Sequence, residues 1–406
     1  MKVAAFLSLL PLALAIPAQK RSGGPAPILR PRDVEALLED KYIVKMKDTA
    51  SQESIDYANE LFEGEAYQSW DAEKEFKGFA AQITGEALDA IANLEDVEFI
   101  EQDAIIKLNY QPEEVTHTDT AKRALTTTTA GSWGLGRISH KALSTSTYVY
   151  DTAGAGSGVC AYVIDTGILT THTQFGGRAS FLANYADSSN TDGNGHGTHV
   201  AGTIGGTTYG VAKSVTLYAV KVLDSSGSGT TSGVISGINF VASDAPSRSC
   251  SSVANMSLGG SKSTALNSAA AALVNAGVFL AVAAGNDGAN AANYSPASEA
   301  TACTVGATTS ADALASYSNY GAVVDILAPG SSIVSSYIGS TSATATLSGT
   351  SMASPHIAGL GAYFLSLQGA MTPAALCTYI RTNANSGVIT GVPSSTSNLL
   401  AYNGAA

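Results

Sequence analysis

The chain has 406 residues, of which 45% are hydrophobic and 13% charged. It is long enough for one large domain with a smaller one, and this composition excludes disorder through excess charge. The formal net charge of −12 argues against nucleic acid as a partner. Residues 1–123 hold 13 of the 21 Lys and Arg and 23 of the 33 Asp and Glu, and this asymmetry predicts two units with different fates.

The first residues read "MKVAAFLSLLPLALA", with one lysine, an apolar run and a small-residue end. This pattern predicts a secretory signal peptide over residues 1–15, cleaved after Ala15, and therefore a secreted, extracellular protein. The apolar run is far shorter than the ~20 residues of a membrane-spanning helix. A membrane anchor is the weaker interpretation, and we expect no membrane association.

A compact alternating pattern follows a Pro-, Gly- and Arg-rich linker that lies within residues 16–41. We predict strands in "KYIVKMK", "FKGFAAQI" and "VEFIEQDAIIKL", the last as one strand or a pair, and helices in "SQESIDYANELF" and "GEALDAIANL". Together they suggest a small β-α-β-β-α-β unit. The polar segment after it has no periodicity, and its Lys122-Arg123 pair is an expected site of proteolytic nicking.

After residue 130 the apolar runs are short, continuous and end in glycine or a polar residue. The runs "GVCAYVIDTG", "VTLYAVKVL", "SVANMSLGG", "GVFLAVAAGN" and "AVVDILAPG" are typical of buried parallel strands. Helical patterns occur in "GHGTHVAGTIGG", "TSGVISGINFVASDA" and "STALNSAAAALVNAG". The alternation predicts an α/β domain with a mainly parallel sheet and helices on both faces, whose functional groups gather at the carboxyl ends of the strands.

Two candidate catalytic groups stand at the ends of predicted elements. Asp165 ends an apolar strand, where a carboxylate is costly without a hydrogen-bonding partner, although a turn Asp completed by Gly167 is the simpler interpretation. His196 lies between two glycines at a loop-to-helix junction, where other groups can approach closely. A metal pair with His199 is the alternative, but no H-E-x-x-H motif is present and we expect His199 to be structural.

The stretch "LSGTSMASPHIAGL" contains three serines where a helix is predicted to begin near Ser351. At that position the positive end of the helix dipole favours developing negative charge. Ser348 lies in the approach loop, and Ser354 lies one turn into the helix before Pro355, which a first turn tolerates. Asn286 follows another buried strand, where its amide either caps a turn or donates to an oxyanion.

A serine hydroxyl needs an imidazole to take its proton and a buried carboxylate to orient that imidazole. The blocks "VIDTGI", "GHGTHVAGT", "AAGN" and "GTSMASPH" resemble the signatures of the subtilisin family of serine peptidases, and "WGLGRIS" and "YAVKVLDSSGSG" resemble its secreted, proteinase K-like branch. The resemblance spans nearly all of residues 130–403. It implies a triad of Asp165, His196 and Ser351, with the Asn286 amide and the Ser351 N–H as the oxyanion hole.

The four cysteines all lie after residue 123, and an even number in a secreted chain predicts two disulfides. Their spacing alone leaves three pairings open. The resemblance implies the pairs Cys160–Cys250 and Cys303–Cys377.

The resemblance also implies ligand-binding features. It implies no cofactor for catalysis and one structural calcium site, made by the carbonyls of Ala300 and Ala302 and the carboxylate of Asp325. Two backbone segments would flank a peptide substrate and hold it by strand addition; these segments comprise Gly227, Ser228, Gly229, Ser257, Leu258, Gly259 and Gly260.

Residues 42–109 resemble the family's inhibitory propeptide, which implies a ferredoxin-like fold. We therefore expect a signal peptide over residues 1–15, a propeptide over residues 16–123 and a catalytic domain over residues 124–406, with the mature chain starting near Ala124. A stable accessory domain is the alternative for the propeptide.

The expected function is that of a secreted serine endopeptidase of broad specificity, made as an autoinhibited zymogen. Its expected partners are protein and peptide substrates and its own propeptide, and we expect a monomer. One alternative is a catalytically inactive subtilase-fold binding protein, which loss of a triad residue would indicate, and none is lost. An esterase is a further alternative, against which the missing G-x-S-x-G elbow argues.

Overall fold

The computed structural model describes residues 21, 23–113, 126–143 and 146–405. The predicted signal peptide, the Lys122-Arg123 pair and the predicted mature start near Ala124 lie outside these residues. Across the described ranges, no helix combines the length and the apolar character that crossing a membrane requires.

The N-terminal unit is a small sheet with two helices. Its elements are β1 (Ile28–Leu29), β2 (Leu37–Met46), α1 (Gln52–Asn59), β3 (Gln68–Trp70), β4 (Gly78–Gln82), α2 (Gly85–Ala92) and β5 (Val97–Lys107). The sheet order is β1-β5-β2-β4-β3, antiparallel except for the β1–β5 pair. The predicted ferredoxin-like pattern is confirmed, with β5 as a single strand. Strand β3 was not among the predicted segments, because three residues are too few for an alternation to be recognised.

The remaining elements belong to the C-terminal unit and to the segment that leads into it. The strands are β6 (Gln111–Glu113), β7 (Thr126–Thr129), β8 (Thr147–Tyr150), β9 (Val159–Asp165), β10 (Ala179–Asn184), β11 (Thr216–Lys221), β12 (Ser228–Thr230), β13 (Ser251–Met256), β14 (Gly260–Ser261), β15 (Phe279–Ala283), β16 (Tyr294–Ser295), β17 (Cys303–Thr308), β18 (Ile326–Pro329), β19 (Ile333–Ser336), β20 (Thr344–Ser348), β21 (Asn385–Ser386) and β22 (Leu399–Leu400). The helices are α3 (Trp133–Ile138), α4 (His196–Gly205), α5 (Thr231–Asp244), α6 (Thr264–Asn275), α7 (Thr350–Gln368) and α8 (Pro373–Asn383).

The C-terminal unit is built on a nine-stranded sheet in the order β10-β11-β9-β13-β15-β17-β18-β22-β21. Every pair in it is parallel except β21–β22. Side chains of β9 alternate between two cores: Ala161 and Val163 pack on the side of α4 and α7, and Tyr162 and Ile164 on the side of α5 and α6. The predicted α/β fold with helices on both faces is therefore confirmed.

The connections between the sheet and its helices gather polar groups at one edge. Strand β9 ends at Asp165, and helices α4 and α7 begin at His196 and Thr350. Because parallel strands present their carboxyl ends at the same edge, these termini lie in one cleft.

Two buried histidines, His199 in α4 and His356 in α7, have a structural role. The Nε2–H of His199 donates to the carbonyls of Ile333 and Ala345 at 2.9 and 3.1 Å, which ties α4 to β19 and β20. The Nδ1–H of His356 donates to the Met352 carbonyl at 2.8 Å. Burial lowers the pKa of His199 to about 3 and the pKa of His356 to about 4. Both imidazoles are therefore neutral in the folded chain at neutral pH, which agrees with the structural role predicted for His199.

These two histidines make the free energy of unfolding sensitive to acid. The unfolded chain binds a proton at each imidazole near pH 6.5, whereas the folded chain does so only at much lower pH, so stability falls as the pH drops below about 6.5. We predict that His356→Asn, which keeps a donor for Met352, flattens this loss by about 1.4 kcal/mol per pH unit between about pH 6 and pH 5. Urea unfolding across this range measures the slope, and parallel curves for parent and variant would contradict the assignment.

Candidate active site

The Asp165 carboxylate and the His196 imidazole form a buried pair at the end of β9. The Nδ1–H of His196 donates to Oδ1 and Oδ2 of Asp165 at 2.8 and 3.0 Å, and both side chains are fully buried. The Thr166 N–H donates to Asp165 Oδ1 at 2.7 Å, which fixes the carboxylate. This contact holds the ring in one orientation and leaves Nε2 pointing away from the acid.

Asp192 connects the loop before α4 to the end of β9 through hydrogen bonds. Its Oδ1 accepts from the Thr166 hydroxyl at 2.9 Å and from the N–H groups of Asn194 and Gly195. Its Oδ2 accepts from the hydroxyl and the N–H of Thr198 at 2.6 and 2.9 Å. Asp192 was not predicted from the sequence, although an acid four residues before His196 in a domain with few carboxylates was an available signal.

The glycines beside His196 are required by close approach, as predicted. Gly195 has φ +102°, and a Cβ there would collide with the ring of Tyr337. A Cβ on Gly197 would collide with the Gly167 carbonyl. The loop can therefore bring His196 against Asp165 only with glycine at both positions.

Ser351 is held at the start of α7 by reciprocal contacts with Ser257. Its hydroxyl donates to the Ser257 carbonyl at 3.0 Å, and the Ser257 hydroxyl donates to the Ser351 carbonyl at 2.7 Å. The helix begins at Thr350, so Pro355 lies in the second turn, and the prediction of a first-turn proline is wrong. Since Pro355 has no N–H for the carbonyl four residues earlier, the Ser257 hydroxyl supplies the donor that the Ser351 carbonyl lacks.

The other two serines of this stretch have defined partners. Ser354 Oγ donates to Asn255 Oδ1 at 2.7 Å, and Asn255 Nδ2 donates to the Ser257 hydroxyl at 2.9 Å. Ser354 therefore extends the support beneath Ser351. Ser348 Oγ accepts from the Ser332 N–H at 2.7 Å. Ser348 is the last residue of strand β20, so its predicted place in an approach loop is wrong.

Asn286 is oriented by Thr350, a residue that the sequence analysis did not single out. Asn286 Oδ1 accepts from the Thr350 N–H at 2.7 Å and from its hydroxyl at 2.9 Å. The amide nitrogen is thereby turned into the cleft, where it donates to the carbonyl oxygen of Asn109. A hydroxyl residue directly before the candidate nucleophile was the signal that could have identified Thr350.

The segment after β5 runs through the cleft. Ile106 and Lys107 pair antiparallel with β12, and the Leu108 N–H donates to the Gly227 carbonyl at 3.0 Å. The Tyr110 ring lies against the His196 ring with centroids 4.8 Å apart. Beyond it, β6 pairs antiparallel with β20.

The predicted substrate-binding residues border this segment. Gly227, Ser228 and Gly229 provide the backbone groups with which residues 106–108 pair. Their binding of a substrate stays a prediction. The segment 257–260 lines a cavity of about 630 Å³ together with Asn286 and Ser351. Gly260 itself pairs with Ser295 in the β14–β16 ribbon.

The structure brings Asp165 and His196 together but does not join His196 to Ser351 by a hydrogen bond. Among the described residues, the buried Nε2 of His196 has no hydrogen-bond partner. The Ser351 hydroxyl instead donates to a backbone carbonyl. His196 Nε2 and the Ser351 hydroxyl are thus not hydrogen-bonded to each other while a segment of the same chain lies in the cleft.

The disulfides join the cysteines in the pairs that the resemblance implied. Cys160 of β9 is bonded to Cys250, just before β13, and Cys303 of β17 is bonded to Cys377 of α8. The first bond links neighbouring strands of the main sheet, and the second ties a helix to it.

The residues expected to hold calcium fit that ion poorly. Asp325 Oδ2 accepts from the Thr304 N–H at 3.0 Å, and Oδ1 lies 3.2 Å from the guanidinium of Arg381. Both oxygens of the only carboxylate in the expected ligand set are therefore engaged. The calcium site stays a prediction, and the proposed peptide-bond hydrolysis does not involve the ion.

Comparison with known proteins agrees with this geometry. Residues 156–399 match the family described as "Subtilase family", and residues 41–109 match "Peptidase inhibitor I9". The chain is 53% identical to "Subtilisin-like serine protease AsES" of Sarocladium strictum, over 100% of this chain and 99% of that protein. It is 50% identical to "Cuticle-degrading protease" of Metarhizium anisopliae over the full length of both.

Structural comparison gives the same result. The solved structure of a cold-adapted subtilisin-like serine proteinase matches with a TM-score of 0.63 at 46% identity, over 67% of this chain and 97% of that one. The chain belongs to the subtilase family, as a subtilisin-like serine peptidase with an N-terminal inhibitor unit.

Proposed function

We propose that Asp165, His196 and Ser351 form the catalytic triad of this serine peptidase. The Asn286 amide and the Ser351 N–H form its oxyanion hole. The observation that carries the proposal is the hydrogen bond from Asn286 to the Asn109 carbonyl oxygen. A peptide carbonyl of the chain itself thus accepts a hydrogen bond from the Asn286 amide, which is the donor that a reacting carbonyl needs.

In the proposed reaction the Ser351 hydroxyl turns from the Ser257 carbonyl and attacks the bound carbonyl carbon, while His196 Nε2 takes its proton. Asp165 keeps Nδ1 protonated and stabilises the imidazolium. The amine leaves with the proton from His196, and an acyl-enzyme remains on Ser351 until water hydrolyses it. The unpartnered Nε2 supports its role as the acceptor.

Stabilisation of the oxyanion depends on groups that are already oriented. The first N–H groups of a helix have no partner within the helix, and they carry the positive end of its dipole. The Ser351 N–H is one of these in α7. Because Thr350 occupies the Asn286 carbonyl oxygen with two donors, the Asn286 amide reaches the cleft without reorganising.

The backbone contacts support broad specificity. Strand β12 and Gly227 form hydrogen bonds with main-chain groups of residues 105–108. Every peptide substrate has such main-chain groups. Side-chain preference is then left to the cavity near Leu258 and Gly259. We propose protein and peptide substrates in general.

We propose that the first cut falls between Asn109 and Tyr110. Residues on both sides of this bond are held as a substrate would be, by β12 before it and by β20 after it. The predicted boundary near Ala124 would then belong to a second, later cut. Accordingly, the inhibitor unit ends at Asn109, and residues 110–123 are trimmed afterwards.

Two buried carboxylates attach the inhibitor unit to the catalytic unit. Glu101 accepts from the Ser263 hydroxyl and from the N–H groups of Thr264 and Ala265 at the start of α6. Asp103 accepts from the N–H and hydroxyl of Ser232 at 3.2 and 2.6 Å at the start of α5. Burial raises the pKa of both carboxyls, and the serine hydroxyls oppose that rise. Each acid thus caps a helix of the other unit.

We also propose that the protein is secreted and acts as a monomer. The signal-like N-terminus and the two disulfides support an extracellular location. The monomeric state rests on the sequence expectation alone.

Substitution of the proposed catalytic groups tests the mechanism. We predict that Ser351→Ala leaves the chain uncut and that Asn286→Leu slows self-cleavage by about 10²–10³-fold, the magnitude measured in subtilisin for loss of this type of donor. Denaturing gels over time measure the rate, and the exposed Asn190→Leu serves as control. Self-cleavage of Ser351→Ala at the parental rate would refute the role of Ser351.

The order of the cuts is a second test. We predict that time-resolved N-terminal analysis finds a chain starting at Tyr110 before one starting near Ala124. Tyr110→Pro should block the first cut because proline removes the N–H of the leaving amine and reshapes the backbone, whereas Tyr110→Phe keeps the ring against His196 and should be cut normally. A time course in which the Tyr110 terminus never appears would contradict the proposal.

The capping carboxylates give a third test. We predict that Glu101→Gln or Asp103→Asn weakens the complex between the cut inhibitor unit and the enzyme by about 5- to 30-fold, as expected for about 1–2 kcal/mol per cap. Peptidase activity on dilution of the cut complex measures the dissociation constant. The exposed Glu63→Gln is the matched control, and equal constants for Glu101→Gln and this control would exclude capping as the attachment.

A further inference from the structure

Asp325 lies just before β18 and carries a carboxylate in a partly dry position. Its side chain is 24% exposed, and that of Arg381 is 41% exposed. The Arg381 Nη1 lies 3.2 Å from Asp325 Oδ1, and the Thr304 N–H donates to Oδ2 at 3.0 Å. Burial raises the pKa of Asp325, while the Thr304 N–H and Arg381 oppose the rise. The Thr304 N–H and the Arg381 guanidinium thus contact different oxygens of this carboxylate.

The second disulfide explains why Arg381 meets Asp325. Cys377 and Arg381 are four residues apart in α8, so they lie on one face of the helix. The bond from Cys377 to Cys303 holds this face against β17. Thr304, which donates to Asp325, directly follows Cys303. The crosslink and the backbone contact therefore bring the acid and the guanidinium to the same point.

The guanidinium and a calcium ion are alternatives at this carboxylate. Calcium takes 6–8 oxygen ligands, and the expected set offers one carboxylate with the Ala300 and Ala302 carbonyls. A guanidinium is charged at every physiological pH and would repel a divalent cation bound to the same oxygen. An arginine beside Asp325 thus already supplies a positive charge there and opposes binding of the ion.

We propose that the Arg381 guanidinium is the resident cation at Asp325 and replaces a structural calcium ion there. The site then binds calcium only after Arg381 is removed. The Asp325 carboxylate is then paired with a positive charge that the chain itself supplies.

Thermal unfolding of the full chain tests this proposal, with Ser351→Ala in every sample to prevent self-digestion. The unfolding midpoint is compared in chelator and in about 10 mM calcium, roughly 100 times the dissociation constant of a weak extracellular site. The samples are the parent, Asp325→Asn, Arg381→Gln, and Arg381→Gln combined with Asp325→Asn. Arg248→Gln, which breaks the partly buried ion pair with Asp244, is the matched control. Arg381→Lys keeps the positive charge.

We expect calcium to raise the midpoint of Arg381→Gln by about 5 °C and the added Asp325→Asn change to abolish this rise. Any calcium effect in the parent should be unaltered by Asp325→Asn, and Arg248→Gln and Arg381→Lys should behave like the parent. A calcium effect in the parent that Asp325→Asn abolishes would overturn the proposal. The absence of a calcium effect in Arg381→Gln would also overturn the proposal, since calcium would then not bind at Asp325 even without the arginine.

Discussion

The hydrogen bond from the Asn286 amide to the Asn109 carbonyl joins the two units of the chain at the cleft. It requires the Asn286 side chain to be turned by Thr350, and it requires the segment after β5 to enter the cleft in extended form. The helix caps at Glu101 and Asp103 place β5 beside the cleft. In the proposed function, a peptide substrate uses the same backbone contacts as the segment after β5.

The active site combines rigid and movable groups. A buried hydrogen-bonded group holds the His196 ring in one orientation; it consists of Asp165, Thr166 and Asp192. In contrast, the Ser351 hydroxyl donates to a carbonyl that it can leave by rotation about one bond. In the proposed mechanism, the imidazole and the oxyanion donors are therefore oriented before the reaction, and the Ser351 hydroxyl is the group that rotates.

Much of the fold was predictable from the sequence, because long apolar runs and helical periodicity mark the main sheet and its helices. The short strand β3 was not, because three residues are too few for an alternation to be recognised. At the site, Asp165, His196, Ser351 and Asn286 were identified as candidates through their motifs. Thr350, Asp192 and Arg381 were missed, because a threonine, an acid and a surface arginine acquire their roles only through tertiary contacts. The first-turn position of Pro355 was wrong although the predicted helix start near Ser351 was within one residue of the observed start at Thr350, because the fifth residue of a helix already lies past its first turn.

The central claim is that the chain's own Asn109 carbonyl is the first carbonyl to react with Ser351. Acid quenching of the precursor during self-cleavage, followed by mass analysis of proteolytic peptides, tests it directly. We predict an ester between the Ser351 hydroxyl and the carboxyl carbon of Asn109, accompanied by release of a Tyr110 N-terminus. An ester on another residue, or one formed by a carbonyl other than that of Asn109, would contradict the account.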